Sequence, residues 1–283
     1  MSGDVPVVSC AIIGGSSTFS MDFPSDLSHS EIEMLETGLV VDTPYGASPD
    51  LDVWSFRDRK VLSCRMHGWR PGVVSRSTAS QQLFWVFKEA GVRQILAEGG
   101  VGCIHQSLSL RDFVIVDDYI DHSQRSDVSL DLPYLLVMRD PFCPSLRACL
   151  FEAAAGNLSG SRRRVHKHGV YLTTDGRHFE SRAEVRAYRQ WGADVIGQSV
   201  VPEVYLAREI GACYAGIYMI VNAAEGVGGD WDHGDLTSLF YGEATTMGKI
   251  LLDALSSLPE PSVSECRCRW LRKPTLLDQQ SSP

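Results

Sequence analysis

Short apolar runs that end in glycine or proline alternate along this chain with stretches whose apolar residues recur at helical spacing. The first run, residues 5–13, is followed by Gly14 and Gly15, which is typical of a buried strand that ends in a loop of small residues. Strand and helix patterns then follow each other to the C-terminus, and this order is typical of an α/β protein. A chain of 283 residues exceeds the usual domain size, but α/β proteins of this length often form one domain around one sheet. We therefore expect residues 1–283 to form a single domain.

The same patterns place the individual elements. Further strands are predicted at residues 38–41, 51–56, 60–64, 93–97, 113–117, 170–173, 194–197 and 213–221. Helices are predicted at residues 78–90, 144–155, 182–191, 202–210 and 235–257. A glycine follows each of the first four helices, where this residue commonly ends a helix. The tail from about residue 272 is predicted to be flexible.

Composition excludes several classes of function. No apolar run approaches the roughly 18 to 20 residues that cross a bilayer, so no membrane span is predicted. The N-terminus lacks the basic and apolar stretches of a secretory signal, which favours a cytoplasmic location. A net charge of -9 disfavours nucleic acid as a partner, and the basic run at 161–167 is better explained as a solvated loop.

The eight cysteines lie mostly in apolar stretches, where thiols behave as small buried side chains, so a disulfide framework is not expected. Cys266 and Cys268 are one residue apart, closer than the usual pair of a structural zinc site, and no second pair lies near them in the sequence. We predict no metal site.

Several segments, in order along the chain, resemble the methylthioadenosine and purine nucleoside phosphorylases. They are IIGGSS at 12–17, TPYG at 43–46, RMHG at 65–68, VIVDDYID at 114–121 and the block at 176–222 that contains SRAEVRAYRQWGADVIGQSVVPEVYLAREIGACYAGIYMIVN. The last block is the most specific of them. A glycine-rich loop after a first strand could also belong to a dinucleotide fold, but the third glycine and the acidic residue of that fold are absent.

The resemblance implies a twisted mixed sheet flanked by helices, and a homotrimer or hexamer. It implies that phosphate attacks C1' of a purine nucleoside while the base leaves, through a transition state with oxocarbenium character. Inorganic phosphate is then a co-substrate, and no other cofactor is expected. The protein must orient the anion and stabilise the charge that develops on the purine.

On the purine side, the resemblance assigns Asn222 to the position that hydrogen-bonds N7 of the leaving base. An amide can also donate to O6, which favours a 6-oxopurine. Phe179 matches the aromatic residue that stacks on the base, and Glu180 matches the carboxylate that accepts from N1-H. Gln198 stands where a methionine usually packs under the ribose, which indicates a modified sugar or a different 5' group. Two structural roles are the alternatives. Asn222 could be a turn residue after a strand, and Glu180 could be an acidic residue at the start of a helix.

On the phosphate side, the resemblance predicts hydroxyl groups, backbone amides and two basic residues. The predicted ligands are Ser16, Arg65, His67, Gly99, Gly100 and Ser199. His67, together with Asn222, is also predicted to act in catalysis.

The anion side departs from the family pattern. Met66 separates Arg65 from His67, Ser17 replaces a glycine, Ala97 replaces a hydroxyl residue, and Glu98 adds a carboxylate that would repel a dianion unless it points away. His178 also interrupts the pattern before the base site. Three hypotheses stay open: a phosphorylase, a hydrolase that uses water, and a nucleoside-binding protein without activity.

Overall fold

The computed structural model describes residues 4–66, 75–176, 178–229, 231–260 and 266–275. Of the tail predicted to be flexible from about residue 272, residues 272–274 form a strand paired with residues 134–136, and the part beyond residue 275 lies outside these ranges, as does His67. Five helices are described: α1 (Arg76–Ala90), α2 (Pro144–Asn157), α3 (Arg182–Gln190), α4 (Val200–Ile210) and α5 (His233–Ser257). The strands are β1 (Cys10–Gly14), β2 (Ile32–Leu39), β3 (Asp42–Thr43), β4 (Gly46–Ala47), β5 (Leu51–Phe56), β6 (Arg59–Arg65), β7 (Gln94–Cys103), β8 (Phe113–Ile115), β9 (Asp118–Asp121), β10 (Tyr134–Leu136), β11 (Val165–His166), β12 (Val170–Thr173), β13 (Val195–Gly197), β14 (Cys213–Ala223) and β15 (Arg272–Pro274).

Eleven of the described strands form one mixed sheet, as expected for a single α/β domain. Its main path runs β11-β8-β14-β7-β1-β6-β5-β2, and β9, β12 and β13 extend it beside β7. The central strands β6, β1, β7 and β14 are parallel. Ligands of such sheets commonly bind at the carboxyl ends of the strands.

Helices cover both faces of this sheet. Along β1, Ala11 and Ile13 pack into the core that contains α1 and α4, whereas Cys10 and Ile12 pack into the core that contains α2 and α5. This alternation follows from the two-residue period of a strand that is buried on both faces. A smaller apolar cluster joins α3 to β12 and β13. Within the described part of the chain, no helix combines the length and apolar character needed to cross a membrane.

Several predicted strands have different bounds in the structure. The prediction at 38–41 is displaced, because β2 spans Ile32–Leu39 at the edge of the sheet and most of its side chains are exposed, which leaves no apolar run to detect. The prediction at 93–97 is too short, because β7 continues through Gly99 and Gly100, which pair with Tyr218 and Met219 of β14. The two glycines are therefore strand residues and do not form a loop.

Candidate active site

A cavity of about 250 Å³ opens at the carboxyl ends of β1, β7 and β14. This volume is near the lower end of the roughly 300–1,000 Å³ that is typical of small-molecule sites. Eight of the ten residues predicted from the sequence line it. They are Ser16, Gly99, Gly100, Phe179, Glu180, Gln198, Ser199 and Asn222.

Asn222 reaches the cavity through an irregularity in β14. The pairing between β14 and β7 shifts register between Ile220 and Asn222, as a β-bulge does when it redirects a side chain. The Asn222 side chain is buried and donates from Nδ2 to the Ala223 carbonyl at 3.1 Å. Gly102 lies next to it, since a Cβ there would be 3.4 Å from Asn222 Oδ1, in ordinary van der Waals contact. The amide is thus held in one orientation at the cavity wall.

Glu180 lies just before α3 and is 7% exposed. The Thr174 hydroxyl donates to its Oε1 at 2.7 Å, which fixes the carboxylate. The capping box of α3 is formed by Ser181 and Glu184, so Glu180 does not cap the helix. Because a buried carboxylate is costly without hydrogen bonds, its place in the cavity wall indicates a ligand that donates to it.

Phe179 stands at the mouth of the same cavity. Its ring is about half exposed and packs edge-on against Trp231, with ring centroids 4.6 Å apart. A second aromatic side chain, Phe240 of α5, also lines the cavity and lies where a Cβ on Gly100 would be only 2.7 Å away. Glycine at position 100 is therefore required for this aromatic side chain to close over β7.

The segment between β13 and α4 brings Gln198 and Ser199 to the cavity. The Ser199 hydroxyl lies 3.1 Å from the hydroxyl of Tyr171, and its backbone N-H donates to the same oxygen at 3.3 Å. Burial raises the pKa of Tyr171, so its hydroxyl stays protonated. Gly176 has a φ of +84° and a Cβ there would lie 2.1 Å from Gln198 Oε1, so glycine makes room for that amide.

Arg125 holds two walls of the cavity together. Its guanidinium donates to the carbonyls of Thr174 and Asp175 on one side, at 3.1 and 2.9 Å. On the other side it donates to the carbonyls of Gln198 and Val201, at 2.8 and 2.9 Å. The residue is 5% exposed, and its five donors in a fixed planar arrangement suit this role.

The loop after β1 forms the predicted anion side. Ser16 accepts the backbone N-H of Gly100 at 2.9 Å, which leaves its own proton free to point into the cavity. Glu98 is fully buried and does not line the cavity. Its carboxylate accepts the backbone N-H groups of Gly15, Ser17 and Thr18 and the Thr18 hydroxyl. A protein carboxylate therefore already occupies the donors that such loops commonly offer to phosphate.

Arg76, the first residue of α1, is the basic side chain that the structure places in the cavity wall. Its Nη1 atom is buried and has no hydrogen-bond partner among the residues that the structure describes. A buried guanidinium nitrogen without a partner is costly, so an anion in the cavity would be stabilised there.

The two remaining predicted residues do not line the cavity. Arg65 is the last residue of β6, opposite Gly14, and its guanidinium forms an ion pair with Asp22 on the exposed side of the loop. His67 belongs to a segment outside the described residues, and its role stays a prediction.

Sequence reasoning missed three contributors to the site: Arg76, Arg125 and Phe240. The amphipathic pattern of the last helix included Phe240, but as a core residue. Arg76 follows Ser75, which caps α1, so a helix start with an arginine in its first turn was a detectable but weak signal. Nothing in the sequence near Arg125 indicates that four carbonyl groups converge on it.

Together the side chains offer two carboxylates, those of Glu180 and Glu225, with two amides, two hydroxyl groups and one guanidinium within a partly aromatic cavity. Such a set can bind a heterocycle by its polar edge and a small anion nearby, and it can stabilise charge that moves between them.

Comparison with known proteins is consistent with this geometry. Residues 11–256 match the family model described as the phosphorylase superfamily. The chain is 30% identical over 270 residues to a 6-oxopurine nucleoside phosphorylase of Pyrococcus furiosus, which covers 92% of this chain and 96% of the relative. It is also 30% identical over 264 residues to an S-methyl-5'-thioadenosine phosphorylase of Thermofilum pendens, with 92% and 95% covered.

Among solved structures, the methylthioadenosine phosphorylase of Schistosoma mansoni in complex with adenine superimposes with a TM-score of 0.72 at 23% identity, over 88% of this chain and 91% of that one. The fold is therefore that of a nucleoside phosphorylase. On the extent of the family match and the coverage of these relatives, the chain belongs to the phosphorylase superfamily.

Proposed function

We propose that this chain is a pentosyltransferase that cleaves the N-glycosidic bond of a 6-oxopurine nucleoside with phosphate, giving free base and sugar 1-phosphate. The observation that carries the proposal is the presence of Glu180 and Asn222, both buried and both oriented by hydrogen bonds, in one cavity. The relatives are named for both 6-oxopurine and methylthioadenosine substrates, so the choice between bases rests on these two side chains.

The polar edge of a 6-oxopurine complements the pair. Its N1-H can donate to the Glu180 carboxylate, and its O6 can accept from the Asn222 amide while the amide oxygen accepts from a protonated N7. A 6-aminopurine presents an acceptor at N1 and a donor at position 6. The Glu180 carboxylate would then face another acceptor, and the Asn222 NH2 group would face another donor. Buried polar groups without hydrogen bonds are costly, and this cost is the strongest basis for discrimination between the two kinds of base.

As the base leaves, negative charge develops on the purine. Asn222 is positioned to stabilise that charge by hydrogen bonds, since its amide can donate to O6 and accept from N7 once N7 carries a proton, and it is a catalytic residue in this sense. Phe179 and Phe240 supply apolar surface for the ring, and Gln198 supplies polar contacts for the sugar. His67 remains a second proposed catalytic residue from the resemblance.

Phosphate as co-substrate would be held by Arg76, by the Ser16 and Ser199 hydroxyl groups, and by a backbone amide of the Gly99–Gly100 segment. Arg76 supports this assignment because its buried Nη1 atom lacks a partner among the described residues. In the proposal it takes the place of Arg65, whose guanidinium is paired with Asp22. No further cofactor is proposed.

One observation favours a second candidate function. Because Glu98 occupies the amides of Gly15, Ser17 and Thr18, the phosphate site has fewer donors and a carboxylate beneath it. Weak phosphate binding would leave water as the attacking group, and the chain would then be a nucleoside hydrolase.

The homotrimer or hexamer that the resemblance implies, and the cytoplasmic location that the sequence composition favours, are also part of the proposal. The half-exposed ring of Phe179 at the cavity supports this part of the proposal, because a neighbouring subunit there would cover it.

The direct experiment is inosine cleavage with and without phosphate, followed by identification of the sugar product. We expect hypoxanthine release to require phosphate and the sugar to appear as ribose 1-phosphate. Equal rates with and without phosphate, and free ribose as the product, would show that the protein is a nucleoside hydrolase and not a phosphorylase. No release of base from any purine nucleoside would reject both.

A further inference from the structure

Four cysteine side chains meet at the end of the sheet opposite to the cavity. Their sulfur atoms, from Cys143, Cys213, Cys266 and Cys268, all lie within 4.8 Å of one another. The first two come from distant parts of the chain, just before α2 and at the start of β14. The fold thus supplies the second pair that the sequence around Cys266 and Cys268 does not contain.

The spacing of the sulfur atoms suits a single tetrahedral ion. Zinc-sulfur bonds of about 2.3 Å in a tetrahedron place the four sulfur atoms about 3.8 Å apart. The described separations extend to 4.8 Å, and Cys213 and Cys266 approach to 3.1 Å. A shift of well under 1 Å in most side chains would therefore bring the four sulfur atoms onto one ion.

The surroundings also fit a structural metal site. Cys143, Cys213 and Cys268 are buried in the apolar core beside α2 and α5, and Cys266 lies at its margin. Tetrahedral sites with four thiolates and no open position are typical of structural zinc.

Backbone interactions hold the segments that carry these cysteines. The Cys143 N-H donates to the Tyr214 carbonyl at 2.8 Å. The Arg208 side chain, 2% exposed, donates to the carbonyl of Cys268 at 3.2 Å and to that of Asp140 at 2.7 Å. The same arginine therefore connects the C-terminal segment to the loop before α2.

Positive charge is available to balance four thiolates around a divalent ion. Cys143 caps the N-terminus of α2, where the helix dipole favours negative charge. Arg147 lies one turn further along α2, and its backbone N-H donates to the Cys143 carbonyl at 3.0 Å. Arg208 adds a second cation near Cys268.

From this convergence we infer that Cys143, Cys213, Cys266 and Cys268 form a structural tetrathiolate site for one Zn²⁺ ion. Each thiol gives up its proton when it binds the ion, which makes binding dependent on pH. The site joins the C-terminal segment to β14 and α2. Cys213 and Asn222 stand at opposite ends of β14, roughly 30 Å apart at 3.3 Å per residue, so the ion does not take part in the proposed catalysis.

The test is the metal and thiol content of the full-length protein, purified under reducing conditions without added chelator. We expect about one zinc per chain by elemental mass spectrometry, and a tetrahedral thiolate spectrum after replacement of zinc by Co²⁺. Two disulfides among the four cysteines would overturn the inference. So would four reduced thiols that take up neither Zn²⁺ nor Co²⁺ on titration, or a stoichiometric iron content.

Cys266→Ser is the informative variant, because Cys266 is half-buried and its replacement disturbs the core least. We expect zinc content to fall at least tenfold and the thermal midpoint of unfolding to drop. Cys149→Ser is the matched control, since Cys149 is equally half-buried but lies outside the cluster. Zinc retained in full by Cys266→Ser would contradict a four-cysteine site. Metal analysis of the unaltered protein decides the question even where a variant fails to fold.

Discussion

Individual side chains determine which base the cavity can accept and which anion it can hold. Glu180 and Asn222 are oriented by neighbours that do not themselves face the ligand, Thr174 and the Ala223 carbonyl. On the anion side, three backbone amides orient the Glu98 carboxylate in the same way. Among the described residues, Arg76 is the cation in the cavity wall. The structure thus brings the residues predicted for the base into one cavity, whereas on the anion side the cavity wall contains Arg76 and not Arg65.

The two arginines can be distinguished by mutation. Arg76→Gln should raise the KM for phosphate by about 10- to 100-fold, because a charge-assisted hydrogen bond contributes about 1.5–3 kcal/mol. Arg65→Gln removes the same charge from the ion pair with Asp22, outside the cavity wall, and should change this constant less than threefold. Steady-state rates at varied phosphate measure both. A larger increase in the KM for phosphate in Arg65→Gln than in Arg76→Gln would show that Arg65 binds the anion, as the sequence predicts.

The roles of residues in contiguous motifs could be predicted from the sequence. The roles of residues whose contacts are distant in the sequence could not. Ser16, Ser199 and Asn222 stand in contiguous segments that resemble the family, and the structure brings all three to the cavity. Arg125 was missed because its role arises from carbonyl groups some 50 to 76 residues away in the sequence. The environment of Glu98 was also not predictable, since only the fold directs its carboxylate into the loop after β1.

Among the elements, the bulge in β14 is the feature on which the site depends most. Residues next to β8 support it: Arg111 donates its N-H to the Ile220 carbonyl at 2.8 Å, and the Ile220 N-H donates to the Asp112 carbonyl at 2.9 Å. The buried Asp112 side chain in turn accepts from His166 at 2.9 Å and from the backbone of Arg164 at 2.9 Å. This carboxylate therefore connects β8, β11 and the bulged strand.

Asp112→Asn should destabilise the protein by about 1.5–3 kcal/mol at pH 7, because it removes charged hydrogen bonds inside the protein. Burial acts to raise the pKa of Asp112, but hydrogen bonds from His166, Arg164 and Ser109 outweigh it and lower the pKa. A lowered pKa in the folded state gives stability above the unfolded value of about 3.9, and this stability is lost as the pH falls through the folded pKa.

Urea unfolding at pH 7 and pH 3 measures the effect. The difference between the variant and the wild type should shrink at the lower pH, because below about pH 3.9 the unfolded wild-type chain binds a proton at Asp112 and part of the stabilisation is lost. Asp118→Asn, at an exposed position of β9, is the control and should have little effect at either pH. A difference that stays constant between the two pH values would show that the charge of Asp112 does not matter.

The sequence predicted buried elements well and exposed ones poorly. The apolar runs of β5 and β12 were placed at their observed bounds, since burial on the sheet produces a clear pattern. The edge strand β2 is mostly exposed, and the strands β9 to β11 are only two to four residues long, so none of them produced a clear pattern. Gly100 was misleading because its small size makes room for Phe240 within a strand.

In the whole molecule, the two ends of the central sheet carry different chemistry. The carboxyl ends of β1, β7 and β14 form the cavity, and the opposite end of β14 carries the cysteine cluster. The net charge of -9 does not attract anions over long distances, so phosphate must be bound by local groups. Arg76 provides one such group.

The central claim is that Glu180 and Asn222 select a 6-oxopurine, and the most direct measurement is the ratio of kcat/KM for inosine over adenosine in the wild type and in Asn222→Asp. The wild type should favour inosine. The variant should lower the ratio by about 10- to 100-fold, because a carboxylate repels O6 and accepts from a 6-amino group. Asn157→Asp, which adds the same charge outside the cavity, should leave the ratio unchanged. A wild type that prefers adenosine, or a ratio that Asn222→Asp does not alter, would contradict the account.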